Sequence, residues 1–283
     1  MTGGRRRSGW ATMAEVARRA GVSAMTVSRV FKAPGAVRPA LRARVEDAAR
    51  ALGYVPNLLA GNLASSRSRM VAAVVPSLAN SNFVGTVKGL ADRLRSAGYQ
   101  LLLADSGYDT AEEARAVEAL LGRRPDGLVL TGTRHDPAVA AMLRASRVPT
   151  VETWELRGPF IDMAVGFSNY AAASALARLV ASRGYRHVGY IDFPHADVPR
   201  FADRRRGVRA GLRGAGRDVP IVAQVADEGF DGGRLGLEAL LAAEPRLDAV
   251  ICATDVLAIG VIFECERRGV AVGTRMGVCG FGD

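Results

Sequence analysis

From Met70 onward, short apolar runs alternate with longer segments of helical period, and this rhythm leaves few folds open to the chain. Met70–Pro76, Tyr99–Ala104, Gly127–Thr131 and Pro149–Thr153 read as strands. Helical stretches near Phe83–Ala97, Thr110–Gly122 and Asp136–Ala145 separate them, the last opening on an Asp cap followed by proline. After Met163–Phe167 the rhythm restarts with strands at His187–Asp192, Val219–Val225, Leu247–Cys252 and Arg275–Phe281. Such alternation predicts parallel sheets covered by helices on both faces, and two runs of it predict an α/β body of two lobes. Ligands of these folds bind beyond the carboxyl ends of the strands, and a second lobe adds an interlobe cleft. Gly211, Gly214 and Gly216 end a helical pattern without following a strand, so this glycine cluster reads as a loop.

The first quarter of the chain has a different character. The formal net charge is +10, and residues 1–69 hold thirteen Lys and Arg against three acids, Glu15, Glu46 and Asp47. The remainder is balanced at twenty-five of each sign. A basic head on a neutral body suggests an anionic polymer partner for the head; a merely solvated basic face is the alternative. The N-terminal Arg5–Arg7 has no apolar run behind it, so no secretory signal is expected, and no run is long enough to span a membrane. Cys252, Cys265 and Cys279 lie in apolar segments and read as buried thiols of a cytoplasmic protein. Lysine occurs only at 32 and 88, neither after a glycine, which excludes a P-loop; no Gly-x-Ser-x-Gly elbow is present. His135, His187 and His195 show no metal-ligand spacing. No enzyme, metal or cofactor is therefore expected.

The basic head reads as an all-α helix-turn-helix domain over residues 12–56, behind a disordered basic tail at 1–11. Thr12-Met13-Ala14-Glu15 is a capping box opening a helix to Ala20. Gly21 supplies the turn, and Ser23 caps a second helix to about Lys32. At 100° per residue Val27, Val30 and Phe31 share one face, while Met25, Arg29 and Lys32 share the opposite one. A core stripe backed by a cationic face suits a recognition helix in a major groove. Pro39 to Leu52 forms a third helix stopped at Gly53.

Here the sequence resembles the lactose-repressor family of bacterial transcription regulators. The resemblance is carried by Val16-Ala17, Ala20-Gly21-Val22-Ser23, Thr26-Val27-Ser28-Arg29 and Leu52-Gly53-Tyr54-Val55-Pro56-Asn57, and it continues through Ala60 and Leu63 along the remaining chain. It implies a periplasmic-binding-protein-like body at 70–283 and a hinge and linker at 57–69, of which Asn57–Ala64 becomes helical on DNA. It further implies that Ala24, Met25 and Arg29 read bases, with Arg29 bidentate to guanine and Met25 offering apolar contact. Thr26, Ser28, Lys32 and Asn57 fall to the phosphates, which fix register without reading sequence. Ala60 and Leu63 fall to the minor groove, where an apolar wedge unstacks a base step at a cost of a few kcal/mol.

At the strand ends stand Asn80, Asn82, Phe83, Asp105, Thr131, Glu152, Trp154, Arg204, Phe230 and Asp255, groups suited to a polyhydroxylated ligand. The resemblance implies that Arg204 and Asp255 bind an effector, with Phe230 stacking on it and Asn82 and Phe83 contributing from the first lobe. Each has a structural alternative: Asp255 as a helix cap, Arg204 as surface charge, Phe230 as core. Ala24-Met25-Thr26-Val27, Ile161–Phe167 and Phe263-Glu264-Cys265 look like the gluconate-utilisation repressors of the family, so a sugar acid is expected beside the neutral sugars and nucleobases. The implied partners are double-stranded operator DNA, a small sugar or sugar-acid effector and a second copy of the chain, with no membrane. The chain stops at a strand end, Gly277–Asp283, where family members continue. A fragment defective in dimerisation or effector binding is thus one alternative, and a small-molecule binding protein without a regulatory role another.

Overall fold

The computed structural model describes residues 10–56, 67–78, 81–194 and 198–282. The chain divides into two compact units that part between Ser68 and Arg69. The N-terminal unit is helical: α1 (Met13–Ala20), α2 (Ala24–Lys32) and α3 (Pro39–Leu52), with a short 3-10 turn at Pro34–Ala36. Thr12 and Glu15 close the capping box reciprocally, Glu15 accepting the Thr12 N–H at 2.8 Å. Gly21 and Gly53 end α1 and α3 at φ of 62° each, the left-handed conformation that glycine adopts without a side-chain penalty. The apolar stripes of the three helices meet in one core of Val16, Ala20, Val27, Val30, Val45 and Ala49, flanked by Phe31 and Tyr54 with ring centroids 5.8 Å apart.

The body consists of β1 (Met70–Val75), α4 (Ser81–Ser96), β2 (Gln100–Asp105), α5 (Thr110–Leu121), β3 (Gly127–Thr131), α6 (Pro137–Ser146), β4 (Thr150–Thr153) and β5 (Met163–Val165), then α7 (Asn169–Ser182), β6 (Val188–Asp192), α8 (Pro199–Gly214), β7 (Ile221–Gln224), α9 (Phe230–Ala243), β8 (Ala249–Cys252), α10 (Asp255–Arg267) and β9 (Gly277–Cys279). The strands form two parallel sheets, β2-β1-β3-β4-β5 and β7-β6-β8-β9. Strand order reverses between β1 and β3 in the first lobe and between β6 and β8 in the second. Helices on either side of such a switch point diverge, which opens a crevice at the carboxyl ends of the strands. One core packs around Val74, Leu128, Leu130, Val117 and Val139; the other packs around Tyr190, Ile191, Val250, Ile251, Leu237 and Leu257. Cys252 and Cys265 are buried and Cys279 half-buried, all as free thiols.

One sequence expectation is overturned. Gly211 and Gly214 are not in a loop but within α8, and Gly211 is buried where α7 crosses it. A Cβ on Gly211 would strike the Ser174 carbonyl and lie 2.8 Å from the Ala177 Cβ; one on Gly207 would strike the Tyr170 carbonyl. These glycines are spacers that let two helices meet at backbone distance, a packing demand outweighing their poor helix propensity.

Candidate functional site

On the head, α2 turns Val27 and Val30 into the core and leaves Ala24, Met25, Arg29 and Lys32 exposed, with Met25 at 71%. Thr26 and Ser28 are half-buried, and the Thr26 hydroxyl and N–H both meet the Ser23 hydroxyl that caps the helix. The head's acids are engaged elsewhere: Glu15 in the capping box, Glu46 with Arg42 at 2.6 Å and Asp47 with Arg50 at 3.1 Å. Among the described residues Arg29 and Lys32 form no ion pair, so the outward face of α2 keeps its positive charge. Asn57, Ala60 and Leu63 lie outside the described residues, as does Asn80 in the body.

In the body, the carboxyl ends of the two sheets bring several of the expected residues together. Asn82 and Phe83 sit in the first turn of α4; the Asn82 amide donates to the Phe281 carbonyl of the other lobe at 3.1 Å. Phe83 meets the Trp154 ring edge-on at 5.3 Å, Trp154 meets Phe167 at 5.9 Å, and Phe167 stacks on Phe281 at 6.2 Å. The Trp154 backbone is held in the left-handed region at φ 71°, pinned through its N–H to Val165 and through its carbonyl by the Asn169 amide. A bulky residue held there costs of the order of 1–3 kcal/mol, strain of the kind that gathers at ligand sites. Arg204 is buried, donates to the Asn169 side-chain oxygen at 2.8 Å and the Ala253 carbonyl at 2.7 Å, and lies 3.8 Å over the Phe281 ring. Burial, then the neighbouring charge of Arg200, lowers its pKa to about 10, still charged at neutral pH. Asp255 follows the true cap of α10, Thr254, whose hydroxyl accepts the Leu257 N–H. Its carboxylate faces Gly280 and Gly282, and a Cβ on Gly282 would meet both this carboxylate and the Asn82 side chain.

Glu152 and Phe230 do not join this cluster. Glu152 is fully buried, accepts the Ile161 N–H at 2.6 Å and lies 3.4 Å from His135, which is 2.6 Å from Glu113. In parallel register Glu152 stands beside Leu130, a core residue, and neighbours in register share a face. Its carboxylate therefore enters the helix-covered interior. Burial alone would depress His135, but its hydrogen bond to Glu113 and the close Glu152 carboxylate outweigh it and raise its pKa to about 9. Phe230 opens α9 with its ring edge-on to Phe263 at 5.7 Å, in the third turn of α10 and on the exposed side of that helix pair. Asp105 braces a loop by accepting the Leu78 N–H, and the Thr131 hydroxyl donates to the Val74 carbonyl.

Two residues of the cleft escaped sequence reasoning. Phe281 brings a ring into the cluster, against Arg204 and Phe167, where Phe230 brings none. Arg200 lies four residues before Arg204 on α8, hence on the same face one turn nearer the helix start; that spacing is the signal that could have found it. Arg200 borders a cavity whose other walls include Pro76, Ser106, Tyr108, Thr131 and Gly132, beside the β1/β3 switch point.

The comparisons with known proteins follow this division. The family described as bacterial regulatory proteins, lacI family, matches residues 12–57, and that of periplasmic binding proteins and sugar binding domain of LacI family matches 68–281. The chain is 38% identical to the HTH-type transcriptional regulator GntR of Pseudomonas aeruginosa over 98% of its own length and 81% of the relative's. It is 35% identical to GntR of Escherichia coli K12 over 94% and 80%. A LacI-family transcriptional regulator from Silicibacter pomeroyi superposes with a TM-score of 0.85 at 32% identity, over 94% of this chain and 80% of that one. The lac repressor dimer bound to operator and the anti-inducer ONPF superposes at 0.73, with 25% identity over 94% and 81%. No helix of the described residues is long and apolar enough to cross a membrane. The exposed cationic α2 of the one unit and the two-lobe architecture of the other thus agree with what is matched: the chain belongs to the lacI family of bacterial regulatory proteins and is a DNA-binding transcriptional regulator.

Proposed function

We propose that this regulator is a cytoplasmic homodimeric repressor, without enzymatic activity, whose operator affinity is set by a sugar acid such as gluconate bound between the lobes of its body. The observation that carries the effector class is the meeting of Asp255 and Asn82 with the rings of Trp154, Phe167 and Phe281, beside the two buried arginines of α8, Arg200 and Arg204. Hydroxyls need acceptors and donors in one place, the apolar face of a carbon chain needs a flat ring, and a carboxylate needs a guanidinium. The similarity to GntR regulators along nearly the whole chain supports the same class.

In this reading Ala24, Met25 and Arg29 face base edges in the major groove, while Thr26, Ser28, Lys32 and Asn57 hold phosphates. Ala60 and Leu63 enter the minor groove. The effector acts by binding one lobe arrangement better than another, and induction is the sign we assign. Titration calorimetry with gluconate and with glucose tests the effector class, and a gel shift against upstream DNA with added gluconate tests the coupling. Heat with glucose alone would overturn the acid reading. Phosphate contacts require log affinity to fall with log salt by about 0.9 per phosphate neutralised, so a flat salt response would overturn the DNA reading.

A further inference from the structure

Resting on the sugar-acid reading, we propose that Arg200, not Arg204, is the group that recognises the effector's carboxylate, and that the cavity between it, Ser106 and Thr131 is the carboxylate subsite. The two buried arginines of α8 differ in how they are satisfied. Arg204 has committed two donors, one to Asn169 and one to the Ala253 carbonyl, and its plane is covered by Phe281. Arg200 is equally buried, at 4% exposure, yet among the described residues no hydrogen bond or ion pair is made by its guanidinium. Its Nη2 is shielded from solvent and without a partner. What surrounds it is aromatic: Tyr108 at 5.3 Å, Phe201 at 5.3 Å and Phe83 at 5.8 Å from ring centroid to guanidinium carbon. These faces hold the plane of a cation but leave its in-plane donors unused.

The acids that share the cavity wall are already engaged. Glu113 is bound to His135 at 2.6 Å, and Asp109 accepts the Ala111 and Glu112 N–H groups as the cap of α5. Arg134 lines the same cavity, and the charge of Arg204, one turn along α8, opposes that of Arg200. A buried cation with a like charge beside it and idle donors is destabilising until an anion arrives, and a planar carboxylate accepts two of those donors at once. Position completes the case. Arg200 belongs to the second lobe, while Tyr108, Phe83, Ser106 and Thr131 belong to the first; its Nη1 comes within 3.5 Å of where a Cβ on Gly132 would stand. A carboxylate bound there is held by both lobes.

The test uses the full chain and two probes that differ only in the group concerned: gluconate, and sorbitol, which carries a hydroxymethyl in place of the carboxylate. Calorimetry and thermal unfolding are run on the wild type, Arg200→Leu and Arg200→Lys. The expected result is that gluconate binds the wild type at least 100-fold more tightly than sorbitol does. Arg200→Leu removes most of that ratio while leaving sorbitol affinity within a few-fold, and Arg200→Lys restores part of it. Unliganded Arg200→Leu is further expected to melt no lower than the wild type, because an unpaired buried charge has gone; a bracing role for Arg200 predicts a lower melting temperature. Wild-type affinity for gluconate with an unchanged ratio in Arg200→Leu would overturn this inference and leave the sugar-acid reading standing. Equal affinity of the wild type for both probes, or for neither, would overturn both. A lowered melting temperature in Arg200→Leu assigns the residue to structure and overturns the proposal.

Discussion

Gly211 and Gly214 lie less than one turn apart on α8, and the same substitution at each should move stability in opposite directions. In a helix, replacing glycine with alanine reduces the freedom of the unfolded chain and is worth about 0.4–1 kcal/mol where the new methyl fits. At Gly214 nothing stands within 4 Å of the added Cβ, so Gly214→Ala should stabilise by that amount. At Gly211 the methyl collides with the Ser174 carbonyl and comes 2.8 Å from the Ala177 Cβ. Neither atom can rotate aside, because one is helix backbone and the other is fixed to it, so α7 must move bodily. Overpacking of this kind costs about 1–3 kcal/mol, which exceeds the propensity gain and leaves a net loss of about 1–2 kcal/mol. For a body of this size each kcal/mol shifts the melting temperature by roughly 2–4 °C. The two variants should therefore separate by about 4–8 °C, with the wild type between them. Calorimetric unfolding of the full chain, following the transition of the body, measures this, and urea midpoints at a common slope provide a second reading. If Gly211→Ala melts at or above the wild type, the close crossing of α7 and α8 is wrong. Gly207→Ala meets the Tyr170 carbonyl, next to the Asn169 that orients Arg204, and should weaken ligand binding as well as stability.

The buried triad of Glu113, His135 and Glu152 should make the body sensitive to alkali. The folded pKa of His135 is raised from 6.5 to about 9, so its stabilising contribution is complete below about pH 6.5 and is lost as pH rises through about 9. Urea midpoints should fall across that window in the wild type and stay flatter in His135→Gln; parallel curves would refute the assignment. Thr12→Ala removes the α1 cap and should lower head stability by about 0.5–2 kcal/mol, read from the head's own melting transition. On DNA, Arg29→Ala should relax preference at one base pair by about 1–3 kcal/mol in binding-site selection. Lys32→Ala should instead weaken all sequences alike and reduce the salt slope by about 0.9. Unchanged selection by Arg29→Ala would remove Arg29 from base readout.

Periodicity made the elements legible. The capping box at Thr12, the Asp136-Pro137 opening of α6 and the strand cores at Val71–Val75 and Gly127–Thr131 all follow from local rules that tertiary packing reinforces. Direction was harder to read. Glu152 and Trp154 both stand at the end of β4, yet strand alternation sends Glu152 into the helix-covered interior. A positive φ at Trp154, which no local pattern announces, brings its ring against those of Phe83 and Phe167. Arg200 was hidden by abundance, because α8 carries several arginines and burial of one is a property of the assembled cleft. The glycines of α8 misled for a related reason: propensity describes a helix in isolation, and Gly211 answers to its neighbour α7.

Switching sets a quantitative requirement on the cleft. A ligand shifts a two-state equilibrium only by its differential affinity for the two states, and useful coupling between sites amounts to about 1–3 kcal/mol. The contacts that cross between lobes are modest. Among the described residues they include the Asn82–Phe281 and Asn169–Trp154 hydrogen bonds, the exposed Arg157–Asp203 pair, the Phe167–Phe281 stack and the aromatic rings around Arg200. A hydrogen bond to a charged group contributes about 1.5–3 kcal/mol. One carboxylate bound to Arg200 of the second lobe and to the Ser106 or Thr131 region of the first would supply the whole coupling, because that bond is complete only when the lobes are together. A ligand lacking the carboxylate can still lie against the rings and the Asp255 side, but it contacts Arg200 no better in one arrangement than in the other. Such a ligand should bind without relieving or strengthening repression, so sorbitol at saturating concentration should leave the operator gel shift unmoved while gluconate changes it.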